Sequence, residues 1–279
     1  MAIKIPVLDR VSKYPGRVKL TPVSGSSNLY DMERADEPTT SGTPINKALF
    51  DNKAYTLTDN VTVYVATTGS DTTGDGSVSK PFKTIQKAVD SIPLHLGGYT
   101  ATIDIANGTY NERVAIQGFT SGTLAVGVSG RTITVRGFAI NQSSLVELRT
   151  SNITYASGYP GPLIFVGKNS SVVQMSQVTI NGSNSTEVGI GVAYDGNYTV
   201  NGANVIVNNC KGTAIKAVLG SKAAFYNIQG SGNTDYGLMA EQGGLLTYNT
   251  STLTATLGNV ARIGGRILAG SAVAPSSIE

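Results

Sequence analysis

The residues best placed to do chemistry together in this sequence are Glu147 and Arg149. Apolar and charged residues alternate in the run Leu145-Val146-Glu147-Leu148-Arg149, which is typical of a strand with one buried face. Both charged side chains should then project from the outer face, where a carboxylate beside a guanidinium could bind a sugar or transfer a proton. A surface ion pair explains the same residues, and we favour it. We expect Arg131 and Arg136 near the preceding turn of the chain.

Thiol and metal chemistry find little support in the sequence. The single cysteine, Cys210, ends a strand-like run and is predicted to be a small buried residue, while the single histidine, His95, lies far from it and is predicted to belong to a loop or cap. Asp71 and Asp75 stand in a Gly-rich run and could ligate calcium, but carboxylates in such loops more often form turns. We therefore expect neither a metal nor a cofactor.

Composition predicts an all-β protein rich in turns. The chain has 279 residues, of which 33 are glycine, none is tryptophan, 40% are hydrophobic and 14% are charged. Prominent Val and Thr suit pleated strands, whereas Gly and Asn suit tight bends. A formal net charge of +3 without a basic stripe predicts no nucleic-acid partner. No stretch approaches the roughly 20 apolar residues of a membrane span, and residues 1–17 do not have the pattern of a signal peptide.

Four regions follow one another along the chain. Residues 1–60 are polar and contain half of the 10 prolines; they should be extended, apart from a short helical turn at residues 45–50, and should become ordered against another chain as an attachment arm. Residues 61–98 should form a first strand, a loop and one helix. Residues 99–256 repeat short apolar strands with Gly, Asn and Ser corners, and residues 257–279 should form a closing segment and tail.

The repeat predicts a right-handed parallel β-helix over residues 99–256. Its corners recur every ~20 to 26 residues, which is the range of solenoid repeats. Stacked turns would bury the inward residues of each strand and let corner Asn side chains bond along the stack. A solenoid needs its first turn covered, and the apolar helix face formed by Phe82, Ile85, Ala88 and Val89 could cover it. Pro81 should occupy the first helical position and Pro93 should end the helix; the alternative is a dimerisation helix.

The run YVATTGSDTTGDGSVSKPFKTIQKAVDSIP, followed by IDIANGTYNE, resembles the opening of the pectin-lyase-like β-helix superfamily. In that superfamily a similar segment forms the first strand, loop and capping helix. The resemblance covers about residues 61–113 and implies the fold. It implies little about activity, because the superfamily contains lyases, hydrolases and structural proteins.

The runs IPVLDRVSKYPGRVKLTPVSG and YDMERADEPTTSGTPINKALFD resemble the N-terminal segment of tail and baseplate-associated proteins of bacteriophages and prophages of Gram-positive bacteria. The resemblance spans about residues 5–51. It implies a particle-attachment role for residues within it and a homotrimeric β-helix. The attachment residues implied are Tyr14, Pro15, Arg17, Tyr30, Met32 and Arg34.

The catalytic sets of the β-helix superfamily are not convincing here. Its lyases need calcium-binding carboxylates with a basic Arg or Lys, and its polygalacturonase-type hydrolases need clustered aspartates with a histidine. The triplet Asn233-Thr234-Asp235 is similar to the first element of the hydrolase pattern, but no Asp-Asp pair and no Gly-His-Gly occurs in the chain. A corner of the β-helix explains the triplet better. We therefore expect no catalytic residue in this chain. Glu147, Arg149 and Asp235 are the weak candidates that remain.

Loop tyrosines offer a different function, because their rings can stack on a glycan and binding residues concentrate in loops. Tyr159, Tyr194 and Tyr198 stand in Gly-, Ser- and Asn-rich runs, although plain loop tyrosines or trimer contacts explain them as well. We expect a structural virion protein, made in the host cytoplasm without a signal peptide. It would attach to other tail or baseplate proteins through residues 1–60 and contact the host surface. The alternatives are a polysaccharide depolymerase and a bacterial surface adhesin.

Overall fold

The computed structural model describes residues 56–143, 145–150, 152–159, 161–167, 172–184, 188–192 and 199–270, together with residues 11–12, 18–22, 24, 30–34 and 38–40. The chain divides into two compact units, residues 1–54 and 55–279. Thr56 already pairs with His95 in the second unit, through a parallel bridge.

The first unit contains two antiparallel pairs of short strands. β1 (Val11–Ser12) pairs with β4 (Pro38–Thr40), and β2 (Val18–Pro22) pairs with β3 (Tyr30–Arg34). β3 contains three of the predicted attachment residues, Tyr30, Met32 and Arg34. The other three, Tyr14, Pro15 and Arg17, lie outside the described residues, as does the predicted helical turn at residues 45–50.

The second unit is a parallel β-solenoid of about six turns, so the predicted parallel β-helix is confirmed. Its strands stack in three faces, which are joined into one 19-stranded sheet. The first face consists of β5 (Val61–Val65), β6 (Thr100–Ile105), β8 (Thr123–Val126), β10 (Leu145–Leu148), β13 (Val172–Ser176), β16 (Thr199–Ala203), the first parts of β19 (Lys222–Asn233) and β21 (Leu245–Ala255), and β23 (Arg266–Ala269).

The other two faces follow the first within each turn. The second consists of the first parts of β7 (Gly108–Gln117) and β9 (Thr132–Asn141), then β11 (Asn152–Tyr155), β14 (Thr179–Asn181), β17 (Val205–Asn208) and the later parts of β19 and β21. The third consists of the later parts of β7 and β9, then β12 (Ile164–Gly167), β15 (Val188–Val192), β18 (Thr213–Ala217), β20 (Leu238–Glu241) and β22 (Val260–Arg262).

The core is a column in which inward residues of successive turns lie in register. On the first face Val126 stacks on Ile103 and Leu148 on Val126, and all three are buried. On the third face Ile164, Ile190 and Ile215 follow one another in the same way. Along strands such as β6 and β10 every second residue is buried, so apolar alternation in the sequence favours this packing.

One helix, α1 (Ile85–Ser91), packs against β5, β6 and β7 at the N-terminal end of the stack. Phe82, Ile85, Ala88 and Val89 are all buried there. The expectation that Pro81 begins the helix is wrong. Phe82 instead forms a parallel bridge with Val65, which keeps this part of the chain extended, and Thr84 caps the helix by accepting a hydrogen bond from the Lys87 backbone N–H.

The helix ends as predicted just before Pro93, because the residue before a proline is disfavoured in helical backbone. Ile92 has an extended conformation, with φ −89° and ψ 133°. Among the described residues no helix has the length and apolar character required to cross a membrane.

Candidate functional site

The predicted pair Glu147 and Arg149 lies together on the outer face of the solenoid. Val146 and Leu148 point inward and are buried, while the Arg149 Nε–H donates to Glu147 Oε2 at 2.7 Å. The side chain of Arg149 is 44% exposed. This geometry is that of a surface ion pair, in which the carboxylate already has a cation beside it.

The arginines expected beside this pair are engaged elsewhere or lie apart from it. Arg131 forms an ion pair with Asp104 of the preceding turn, with Nη2 and Oδ1 3.1 Å apart. Arg136 lies against Gly158, as described below. No interaction joins either arginine to Glu147 in the described part of the chain.

Asp235 follows β19 and belongs to a corner that is held mainly by Asn233. The Asn233 side chain is buried, and its Oδ1 accepts from the Cys210 N–H at 3.1 Å, while its Nδ2 donates to the carbonyls of Val207 and Thr254. Asp235 accepts a hydrogen bond from the Thr213 hydroxyl. The triplet Asn233-Thr234-Asp235 therefore joins three consecutive turns of the solenoid.

The two weak carboxylate candidates are too far apart to act as a pair. Glu147 is in register with Gln174, then with Asn201 and then with Ala224, and Asp235 lies later in the turn that contains Ala224, between β19 and β20. Three strand spacings place them at least about 14 Å apart along the stack, whereas the carboxyl groups of glycosidases lie about 5 to 9.5 Å apart. In the described residues no group of three or more His, Cys, Asp or Glu could hold a metal ion.

The two aspartates considered as calcium ligands hold backbone instead. Asp71 Oδ1 accepts from the N–H groups of Lys83 and Thr84 at 2.8 and 3.0 Å, and Asp75 accepts from the Ser77 N–H at 2.9 Å. Burial alone would raise the pKa of Asp71, but hydrogen bonds from Thr84 and Lys83 and the charge of Lys87 outweigh it and lower the pKa.

A second carboxylate, Glu112, caps the same helix and was not identified from the sequence. Its two oxygens accept from the N–H groups of Ile85 and Gln86 at 2.7 and 2.9 Å. These are donors that a helix leaves unpaired in its first turn. Burial raises the pKa of Glu112 more than the two N–H donors lower it. Because Glu112 belongs to β7, the second strand after the helix, no local pattern could show this contact.

Of the three predicted glycan-binding tyrosines, Tyr159 lies within the described residues, while Tyr194 and Tyr198 lie outside them. Tyr159 stands in the β11–β12 loop, residues 156–163. The Arg113 guanidinium lies over its ring, 3.9 Å from the centroid. Gly161 lies against the ring as well, since a Cβ there would come within 2.5 Å of it. The half-buried ring is therefore packed in place by its neighbours.

Two arginines reach this loop from the two preceding turns, Arg136 from β9 in the adjacent turn and Arg113 from β7 in the turn before it. Arg113 Nη1 donates to the Pro162 carbonyl at 3.4 Å, and burial lowers the pKa of its guanidinium. Arg136 lies beside Gly158, where a Cβ would stand 3.7 to 3.9 Å from its Nε, Cζ and Nη2. Sequence reasoning missed the contact between Arg113 and Tyr159, because it depends on how three successive turns stack.

Comparisons with protein-family models, curated proteins and solved structures found no match for this chain. The fold itself defines the chain as a parallel β-solenoid protein. A fold class does not define an activity, so the function has to be argued from the side chains and from the organisation of the chain.

Proposed function

We propose that this chain is a structural component of a phage or phage-derived contractile particle, attached through residues 1–60 and projecting a homotrimeric β-helix that contacts the host surface. The observation that carries the proposal is the organisation of the chain: a separate N-terminal unit precedes a solenoid whose first turn is covered by a helix. The resemblance of residues 5–51 to tail and baseplate-associated proteins supports it.

The physical argument begins with the N-terminal strands. Isolated two-stranded sheets are marginally stable in water, and the described strands of the first unit occur in two such pairs. Such a unit gains stability when it docks on another protein. The solenoid, in contrast, has its own continuous core and can display outer side chains without a partner.

The depolymerase alternative lacks support from the candidate residues. An acid and a base must face one bond from a few ångströms away, while Glu147 and Asp235 are three turns apart. The partly buried carboxylate of Glu147 is also paired with the guanidinium of Arg149.

The test uses particles released from cells that encode the chain. We expect an antibody against the chain to label one end of these particles in electron micrographs, and the purified full chain to have three times its mass of 28.9 kDa. A full-length variant with Tyr30, Met32 and Arg34 changed to alanine should lose incorporation. The matched control is Tyr226→Ala, which removes a ring that is 45% exposed on the solenoid and should incorporate normally.

Several outcomes would contradict the proposal. A monomer that never sediments with particles would do so, as would release of reducing or unsaturated sugar from host wall material. Equal incorporation of the triple variant and the control would refute the role of β3.

A further inference from the structure

Side chains of the solenoid contact Tyr159 and Pro162 in the β11–β12 loop. The Tyr155 hydroxyl accepts from the Tyr159 N–H at 2.9 Å and donates to the Tyr159 carbonyl. Arg113 holds the loop from the other side through the Tyr159 ring and the Pro162 carbonyl. A loop that is ordered before binding loses little conformational entropy when a ligand arrives.

The same corner contains two cations without a carboxylate partner in the described residues. Elsewhere in the described solenoid, ion pairs join Arg131 to Asp104, Arg149 to Glu147 and Lys216 to Glu241. Arg113 and Arg136 have no such pair, although each is partly buried. A partly buried cation without a counter-charge is unfavourable, and an anion from outside would relieve that cost.

Arg136 has the donors that such an anion would need. Its Nε is buried and has no hydrogen-bond partner, and no hydrogen bond or ion pair joins its two Nη groups to the rest of the described chain. The planar fork of a guanidinium matches the geometry of carboxylate and phosphate oxygens. Gly158 is exposed and places no side chain of its own against the guanidinium.

We infer that this corner binds an oxyanion, a carboxylate or a phosphate carried by a surface saccharide, with Arg136 as the binding residue and Arg113 as the residue that positions the loop. The inference deepens the host-contact part of the proposed function and depends on it only for the biological source of the ligand. Acidic and phosphorylated saccharides share the oxyanion chemistry, so the experiment separates the two sources.

Binding is measured by calorimetric titration of the purified full chain with D-glucuronate and, separately, with inorganic phosphate, at constant ionic strength. Glucose serves as the neutral probe. We expect at least one oxyanion to bind and glucose not to bind. Binding of glucuronate alone identifies a carboxylate ligand and binding of phosphate alone identifies a phosphate ligand.

Arg136→Gln should weaken binding at least tenfold. Arg149→Gln is the matched control, because it removes the same charge from an arginine that is already paired with Glu147, and it should bind within twofold of the unaltered chain. Circular dichroism checks folding, and Arg136→Lys, which keeps the charge but loses the fork, should also bind several-fold more weakly if Arg136→Gln does not fold.

Two results would overturn the inference: neither oxyanion binds the unaltered chain, or Arg149→Gln weakens binding as much as the change at Arg136. Because the titrations use the purified chain, they do not depend on the particle. A chain that binds oxyanions but never joins a particle would refute only the proposed function.

Discussion

The fit between Gly202 and Phe225 offers a direct test of how the turns stack. The two residues are in register on the first face, and the Phe225 ring is fully buried. A Cβ at Gly202 would stand 2.4 Å from Phe225 Cδ1 and 2.7 Å from Cε1. A glycine therefore provides the space that the ring of the next turn occupies.

We expect Gly202→Ala to lower the free energy of unfolding by about 1 to 2 kcal/mol. Overpacking a core costs about 1 to 3 kcal/mol, and the reduced entropy of the unfolded chain returns about 0.4 to 1 kcal/mol. Phe225→Leu should relieve the clash, so the double variant should be more stable than the sum of the single changes predicts, by at least about 1 kcal/mol.

The measurement is urea denaturation of the four proteins of this cycle. The control is Gly130→Ala, where no atom lies within 4 Å of the added Cβ and φ is +83°. That change should cost about 1 kcal/mol through the backbone alone and should be additive with Phe225→Leu. If Gly202→Ala leaves the free energy of unfolding unchanged, or if its effect is strictly additive with that of Phe225→Leu, the register that places Gly202 opposite Phe225 is refuted.

Three further predictions concern the cap and the corners. Asp71→Asn should destabilise the chain at pH 7, and the difference should shrink as pH falls, because the lowered pKa of Asp71 makes its contribution fully present above the unfolded pKa of about 3.9 and lost as pH falls through the lower folded pKa. Urea denaturation at several pH values, with Asp90→Asn as control, measures this. Asn233→Ala should cost about 3 kcal/mol in urea denaturation, since it removes the partner of two buried backbone groups, the Cys210 N–H and the Val207 carbonyl, and of the part-buried Thr254 carbonyl; a loss below about 1 kcal/mol would contradict this role. Ile263→Asn should raise the melting temperature, because Ile263 is a β-branched residue at φ +50° and 74% exposed; an unchanged or lower value would show that no strain is relieved.

The strands of the solenoid could be predicted because their signal is local. In Leu145-Val146-Glu147-Leu148 the burial alternates as the residue types do. Corner positions were also predictable in kind: Asn209 donates to Asn181, and Asn227 donates to Asn204, each across one turn of the stack. Asparagine suits these places because it tolerates left-handed backbone and its amide can bond to the neighbouring turn.

The start of the helix could not be predicted in the same way. Pro81 and Phe82 have the residue types of a helix start, but Phe82 pairs with Val65 and extends the chain. The competing interaction comes from a strand that ends well before the helix. The position at which the helix begins depends on hydrogen bonds of Thr84, Asp71 and Glu112 together. Of these three, Glu112 belongs to β7, which follows the helix in the chain.

The candidate binding corner was hidden from the sequence for a related reason. Tyr159 is visible as a loop tyrosine, but its contact with Arg113 requires the irregular register between β7 and β9 near Tyr110 and Arg113. A shift of one residue changes which side chains face outward. The outward-facing residues show no sequence pattern that identifies their partners. Their contacts can be inferred only when the stacking of the turns is known.

Charge pairing across the turns is what makes Arg136 informative. In a solenoid an acidic residue on the preceding turn can neutralise a basic residue, as Asp104 does for Arg131. Such a pair requires no change in the backbone of either turn. Arg136 lies on β9, five residues after Arg131, yet its guanidinium faces a glycine and has no ion pair with an acidic residue in the described part of the chain. If stability alone determined the outer residues of this strand, an apolar or paired residue would serve better at position 136. An unpaired guanidinium beside a fixed loop is the arrangement expected where the missing counter-charge arrives with a ligand.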